Sequence, residues 1–496
     1  MQDNIKRGSS SLALKAGFWY VISTFLVKGL SFITHPIFAG LLTKEQLGAF
    51  SNFASWETLL LIITSLEMQN TVARAYYDFK EDFHKYVSSV TITSLGVTLV
   101  LYGVALLFGD WFSSFTSIPK EYIHVLFLML MFQGSKQIFM AKERTLYRYK
   151  AVAVISAVNA LVPTLIAVAM VVLARNSGGS MLGGRIYGFY IPSAMIGVGC
   201  AMVLLRKGKG FGWKYCKYGL ALSFPLMLHY LTAQLLTSSN SIVTTAQLGE
   251  TANAAVSTAS SANHIMTTLL LAVSGAVTTW LMDNLDQQNV KAVRKGTLLY
   301  VAGISALAAG VILLAPEVVF ILGSGKYPES TVLMPGLVVA VLIQSTTTIF
   351  TIMLTYQKKV VATAVWTGVV AVGCVAAKFF LLPWYDQLSG NGVLILPYIN
   401  IASFAALFFI NYVLVCRSGL GKYLNFKGIV AVLAALCLFM ACSYFLYNHL
   451  WLRLAVIAVV GIVAIVFAIK YRALIMKFVR KKFKKKKKQT AQDSEA

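Results

Sequence analysis

Ionisable side chains fall inside long apolar runs, where a helix crossing hydrocarbon should carry none, among them Lys28, His35, Glu57, Lys136, His229, His264 and Lys378. A charge at the centre of a spanning helix costs about 2.5–3.5 kcal/mol on insertion scales, so it persists only against other protein, a bound partner or a water-filled cavity. Thr24, Lys28, Ser31 and His35 share one helical face ahead of Pro36, and Lys28 lies mid-span, where its stem reaches neither surface. A second stripe, Asn253, Ser257, Ser260, His264 and Thr268, runs through an otherwise apolar stretch and should face the same interior. His229 and Asn240 are eleven residues apart, nearly in line on their helix. Lys136 stands between Gln133 and Gln137 and is assigned to the cavity. Lys378, close to Pro383, is equally well explained as an interfacial anchor, and Arg185, at the start of its span, is placed at the interface.

Acids are scarce in these runs. Glu67 has Arg74 one to two turns on as an ion-pair partner, whereas Glu57 has no partner at i±3 or i±4. Glu57 is therefore either paired with Lys28 across helices or a protonatable coupling site. An interior rich in Lys, hydroxyls and amides favours an anion that itself carries hydroxyls, because Lys attracts phosphate as a point charge while Ser, Thr and Asn bond to sugars.

Helices must carry these side chains, and composition says which kind. The chain has 496 residues, 58% of them apolar and 12% charged, with a mean hydropathy of +0.72. These values all but exclude a soluble enzyme or nucleic-acid-binding domain. Apolar stretches of spanning length occur at 14–39, 47–71, 87–109, 121–141, 151–173, 184–205, 219–244, 253–280, 297–315, 331–354, 361–382, 393–415, 428–447 and 453–470, predicting an all-α polytopic membrane protein of 14 transmembrane helices. The N-terminus lacks a short apolar core with a small-residue cleavage site, so the first helix is expected to be an anchor and not a removed leader.

The net charge of +25 is unevenly placed. Alternate connections that would share the cytoplasmic side with both termini hold 34 of the 43 Lys and Arg, and the opposite connections hold 6, so both termini are expected inside. The run Arg480-Lys481-Lys482-Phe483 with Lys484 to Lys488 suits an anionic inner leaflet; with no folded module beside it, nucleic acid is not expected as a partner.

At an offset of 201, Gln46-Leu47-Gly48 aligns with Gln247-Leu248-Gly249, Asn52 with Asn253, and Lys28 with His229. Two six-helix halves follow, 1–210 (helices 1–6) and 211–415 (helices 7–12), with helices 13 and 14 (416–475) appended and a basic tail (476–496). Proteins built of two such repeats bind at the interface near the midplane and rock one half against the other.

Chemistry beyond binding finds no support. Gly323-Ser324-Gly325-Lys326-Tyr327 lacks the spacing of a phosphate loop and a hydroxyl after Lys. There is no catalytic triad, zinc spacing or productive carboxylate pair, and the six cysteines, with no CxxC among them, read as free thiols. No enzyme activity, metal or cofactor is expected.

The segment Pro316-Glu317-Val318-Val319-Phe320-Ile321-Leu322-Gly323, continuing to Tyr327, Ser330 and Pro335, resembles the segment before helix ten of polysaccharide-export flippases in the multidrug/oligosaccharidyl-lipid/polysaccharide superfamily. Lys15-Ala16-Gly17-Phe18-Trp19, Lys28-Gly29, Pro36 and Leu47-Gly48 resemble the opening of those proteins. The resemblance covers helices one to twelve. It implies a V-shaped pair of lobes that moves an undecaprenyl-pyrophosphate-linked oligosaccharide across a bacterial inner membrane, with glycan polymerase machinery as a partner. The substrate-binding residues would be Lys28, His35, Lys136, His229, Asn253, Ser257, Ser260 and His264, with Glu57 coupling to an ion. Two alternatives stay open. Fourteen helices are similar to the lipid II flippases, although Ser31-Phe32-Ile33-Thr34-His35 lacks both charges of their helix-one motif. A cation-coupled multidrug or metabolite exporter would need an acid such as Glu57.

Overall fold

The computed structural model describes residues 29–459 and 462, except 31, 209, 358, 359 and 450. Lys28, Thr24, Ser31 and the basic tail of 476–496 lie outside the described residues, as do most of the fourteenth expected span and the start of the first.

Local signals set the helix boundaries. After α1 (Phe32–Leu41), Thr43 and Gln46 form a reciprocal capping box that opens α2 (Lys44–Ser65). α2 stops short of the expected residue 71 because Leu66 and Glu67 adopt left-handed backbone, and a 3-10 turn, Met68–Thr71, follows. The Glu67 carboxylate accepts from Gln69 Nε2 (2.9 Å) and Asn70 Nδ2 (2.6 Å), which ties down the break. The expected pairing of Glu67 with Arg74 is absent. Arg74, in α3 (Val72–Asp78), instead pairs with Asp78 one turn on, and the Tyr218 hydroxyl donates to the same carboxylate. That hydrogen bond, more than the arginine, holds the Asp78 carboxyl below its ordinary pKa.

The first half continues with α4 (Phe83–Leu107), α5 (Gly109–Thr116), α6 (Lys120–Thr145), α7 (Tyr149–Ser177) and α8 (Met181–Gly208). The second holds α9 (Trp213–Leu248), α10 (Glu250–Asp286), α11 (Val290–Leu313), α12 (Ala315–Leu322), α13 (Ser330–Tyr356), α14 (Val360–Ser389) and α15 (Leu396–Arg417). α16 (Phe426–Leu446) and α17 (451–459) close the described chain. Asn289 and Asn425 cap α11 and α16 by accepting from Ala292 N and Gly428 N. No strand occurs among the described residues, as hydrocarbon demands of backbone that cannot bond to water. Eleven helices are long and apolar enough to cross a membrane among the described residues, and α10, at 37 residues, extends about 55 Å at 1.5 Å per residue. Each expected span coincides with a helix wherever the chain is described. All six cysteines are free.

Separate cores lie on either side of a seam. Phe53, Leu126, Leu130, Ile186 and Tyr190 pack one end of the first half, and Met68, Tyr86, Val90, Ile138 and Leu204 pack the other. A single larger core runs through α10 to α16. The N-terminal end of α9 belongs by contact to the first half, since Tyr215 packs in its core and the Tyr215 hydroxyl donates to Asp82 Oδ2 at 2.6 Å.

A fourth apolar cluster joins the halves at the end that carries the α1–α2 turn, where Phe38, Leu42 and Leu47 meet Ala167, Val171, Ala254 and Tyr327. Gly48 permits this contact. A Cβ built there would stand 1.8 Å from the Glu250 carbonyl oxygen, so any side chain must push α2 off α10. Between helices that lipid could otherwise solvate, such close approach of small residues is the main source of association. Beside it, Ser51 Oγ of α2 lies 3.1 Å from Ser241 Oγ of α9. With cysteines at 51 and 241, oxidation should join the two helices, and adding Gly48→Val should lower the cross-linked fraction at least threefold on a non-reducing gel. An unchanged yield would show that the seam does not need the glycine.

Candidate functional site

The interior polar residues form a chain across α1, α10, α8, α2, α6 and α7. Lys136 of α6 is 6% exposed and donates to Asn159 Oδ1 of α7 at 2.5 Å. Glu57 of α2 lies within the electrostatic reach of Lys136, but makes no hydrogen bond, and no ion pair within 4.0 Å, among the described residues. Tyr190 of α8, buried against Phe53 with ring centroids 4.9 Å apart, feels the charges of both Glu57 and Arg185. The Arg185 guanidinium, on the same helix, stands 3.4 Å over the Phe38 ring, 4.4 Å from Phe50 and 5.4 Å from Phe189. His35 follows on α1. Its Nδ1 is 3.1 Å from Ser261 Oγ of α10, and the charges of Arg185 and His264 reach it.

The structure thus brings His35 and His264 together, and connects Lys136 and Glu57 to them through Tyr190 and Arg185. Ser257 and Ser260 lie half-buried along α10 on the way to His264 and make no hydrogen bond among the described residues. His229 of α9 stands apart from this set; its Nδ1 is buried without a partner among the described residues. Asn253 is fully buried, and its amide donates to Gly48 O at 2.9 Å, so its nitrogen is engaged in holding α10 to α2.

Arg185 is the residue that sequence reasoning placed elsewhere. Its position near the start of α8 points to the interface, and only the packing of α1 and α2 against α8 supplies the aromatic rings that enclose it. Arg185 and Phe189, one turn apart, were the single local signal. Lys378 of α14 is neither anchor nor open cavity cation. It is completely buried, and its ammonium donates to Ser239 Oγ (2.8 Å), Asn240 Oδ1 (2.7 Å) and Leu236 O (3.3 Å), with Asn400 Nδ2 also on Asn240 Oδ1 (3.1 Å). Three acceptors on α9 thereby replace the water that the ammonium lost, and Asn400 of α15 braces one of them.

Lys326, in the loop before α13, has a mechanical role. Its ammonium donates to Gly40 O (2.7 Å) and Leu42 O (3.2 Å), carbonyls left open at the end of α1, while Ser324 Oγ donates to Pro36 O (2.9 Å). Lys44 and Glu329 form an ion pair at 3.1 Å alongside. The second half therefore latches the end of α1 with the segment that only superficially resembles a phosphate loop. No group of three or more His, Cys, Asp or Glu residues that could hold a metal occurs among the described residues.

The bundle is similar to the lipid II flippase MurJ in an inward closed conformation, with a TM-score of 0.66 and 13% identity over 92% of this chain and 99% of that one. It is also similar to an inward-facing multidrug resistance MATE family transporter (0.60, 16%, 82% and 99%) and to a transporter from Pyrococcus furiosus described as having a binding pocket of reverse polarity (0.52, 15%, 83% and 99%). No curated protein matches the sequence. The fold is therefore that of the multidrug/oligosaccharidyl-lipid/polysaccharide transporters, in a multi-pass membrane protein. Residues 13–281 match the family described as polysaccharide biosynthesis protein, and the chain belongs to that family.

Leaving buried neutral acceptors without their donor costs about 1–3 kcal/mol. Lys378→Ala should lower stability by an amount in that range, measured by detergent-induced unfolding of the purified protein. Equal stability would mean that the Ser239, Asn240 and Asn400 cluster does not need its ammonium.

Proposed function

We propose that this protein flips an undecaprenyl-diphosphate-linked oligosaccharide repeat unit across the bacterial inner membrane for surface polysaccharide synthesis, without altering it chemically. The observation that carries the reading is the balance of charge inside the bundle. Arg185, His35 and His264 lie near one another beside the hydroxyls of α10, Lys136 lies buried on α6, and Glu57, near Lys136, is the one acid among them. Family membership and fold support the same reading.

A diphosphate leaves water at high cost, and fixed cations already desolvated by the protein offset that cost without reorganising when the headgroup arrives. Lys28, Lys136, His229 and His264 would supply positive charge. His35, Asn253, Ser257 and Ser260 would complete the wall, with hydroxyls and amides meeting the sugars, while the prenyl chain stays in lipid. The excess of basic residues in alternate connections orients both termini to the cytoplasm and puts the latched α1–α2 end outside. The described contacts would then close the outer side, so the headgroup enters from the inner leaflet and leaves when the Lys326, Ser324 and Asn253 bonds break. Glu57, unpaired yet near Lys136, is the candidate for coupling to an ion. The basic tail would rest on anionic lipid, and a glycan polymerase would take the product.

The test is reconstitution with lipid-linked oligosaccharides and measurement of leaflet transfer under imposed proton, sodium and voltage gradients. Transfer should be present in the wild type and fall at least tenfold in Lys28→Ala at equal protein abundance. Normal transfer by Lys28→Ala would remove Lys28 from the mechanism, and absence of transfer by the wild type would defeat the reading. If Glu57→Gln abolished efflux of a small cation and left glycan transfer intact, a coupled exporter would be favoured instead.

A further inference from the structure

The buried interior cations differ in how many of their hydrogens are spoken for. Lys378 is hydrogen-bonded to three acceptors and Lys136 to Asn159, while buried Lys142, at the far end of α6, makes no hydrogen bond among the described residues but has the Glu143 carboxylate 3.8 Å away. Arg185 is different. Its Nε and Nη1 are buried and donate to nothing among the described residues, and no carboxylate lies within 4.0 Å of it there. The rings of Phe38 and Phe50 occupy the guanidinium faces, and Phe189 stands further off. They attract the cation through their quadrupoles, but they accept none of its in-plane N–H groups. Those hydrogens are left along the edge of a fork whose geometry matches two oxygens of one phosphate.

His35 is unsatisfied in the same way. Its Nε2 is buried without a partner, while Nδ1 is held 3.1 Å from Ser261 Oγ on α10. In the tautomer where the Ser261 hydroxyl donates to Nδ1, Nε2 carries the proton and presents a second donor near the fork. Buried donors in native proteins are nearly always paired, so orphaned N–H groups on two neighbouring side chains without a close acid mark the place of an absent acceptor.

We infer that Arg185 and His35 form the seat of a phosphate group, and that its ligand is the diphosphate of a prenyl-linked substrate. The inference rests on the transport reading above for the identity of the ligand, and on the orphaned donors alone for its chemistry. Because Arg185 and His35 belong to the first half while Ser261 belongs to the second, the seat is complete only while α1 touches α10. Separation of the halves removes the Ser261 donor that orients His35 and loosens the seat, which couples release of the anion to opening.

The experiment uses the full-length protein in nanodiscs of zwitterionic lipid, titrated calorimetrically with inorganic pyrophosphate and, separately, with farnesyl diphosphate. The wild type should bind both, the prenyl compound more tightly if the lipid headgroup is the source of the anion. Tighter binding of free pyrophosphate would overturn the assignment to a lipid headgroup. Arg185→Gln should weaken binding of both at least tenfold, and Arg185→Lys, which keeps the charge without the fork, should lose three- to tenfold. His35→Gln should lose a similar three- to tenfold, and it decides the matter should Arg185→Gln fail to fold. Unchanged affinity in these variants overturns the seat. If affinity is unchanged and leaflet transfer persists, the seat falls and the transport reading stands. Arg185-dependent binding by a wild type that transfers no lipid-linked oligosaccharide leaves the seat standing and removes the transport reading. A wild type that neither binds nor transfers removes both.

Discussion

The desolvation of positive charge governs this structure. A bundle in hydrocarbon gains little from hiding apolar side chains, since lipid accommodates them as well as protein does, so what fixes its arrangement is small-residue contact and the disposal of polar groups. Each buried cation meets that demand differently. Lys378 of α14 is surrounded by oxygens of α9, one of which also accepts from Asn400 of α15, and the cluster thereby stitches three helices of the second half together. Lys136 leans on Asn159 near Glu57, and Arg185 is enclosed by rings that stabilise its charge while leaving its hydrogens unused. On the reading proposed above, a cation whose hydrogens are taken is framework, and one with neither a hydrogen-bond partner nor a close carboxylate is open to a ligand. That distinction, rather than the presence of a Lys or Arg, separates structural charge from a site.

The seam between the halves follows from the same economy of contacts. Gly48 allows α2 and α10 to touch, Asn253 spans the contact, and Lys326 and Ser324 terminate α1 from the opposite half. Few of these bonds involve paired charges. Hydrogen bonds to helix-end carbonyls can be exchanged for water when an end opens, at a net cost near 1 kcal/mol each. A seam made of a handful of such bonds and one apolar cluster is strong enough to define a state and weak enough to leave it.

Helix positions were legible in the sequence because spanning length and apolar content are local properties, and the described helices coincide with the expected spans. The break at Leu66 and Glu67 was not legible, since apolar content continues across it and the turn depends on Glu67 capturing the side chains of Gln69 and Asn70. Of the candidate site, the stripes that carry His35 and His264 were legible as facing one interior, but their approach to each other was not, since it depends on how α1 packs on α10. Arg185 and Lys378 were not placed, because burial of a terminal or near-terminal cation is decided by which rings or amides other helices deliver, and no spacing within one helix encodes that. Asn253 reads identically in sequence whether it lines a cavity or bridges a seam, and only its distance to Gly48 O separates the two.

The internal repeat shows how a duplicated sequence acquires a direction. Asn52 and Asn253 occupy equivalent positions 201 residues apart, and both are buried. The Asn52 amide donates to Thr116 O within its own half, at 2.8 Å, whereas the Asn253 amide donates to Gly48 O across the seam. One copy therefore stabilises a half and the other joins the halves. Both amide oxygens remain buried without a partner among the described residues, so each asparagine keeps an acceptor that its present bond does not use. For the transport reading proposed above, a contact between the halves must be breakable without unfolding either one; the Asn253 bond to Gly48 O meets that condition, while Asn52 keeps α2 tied to the end of α5.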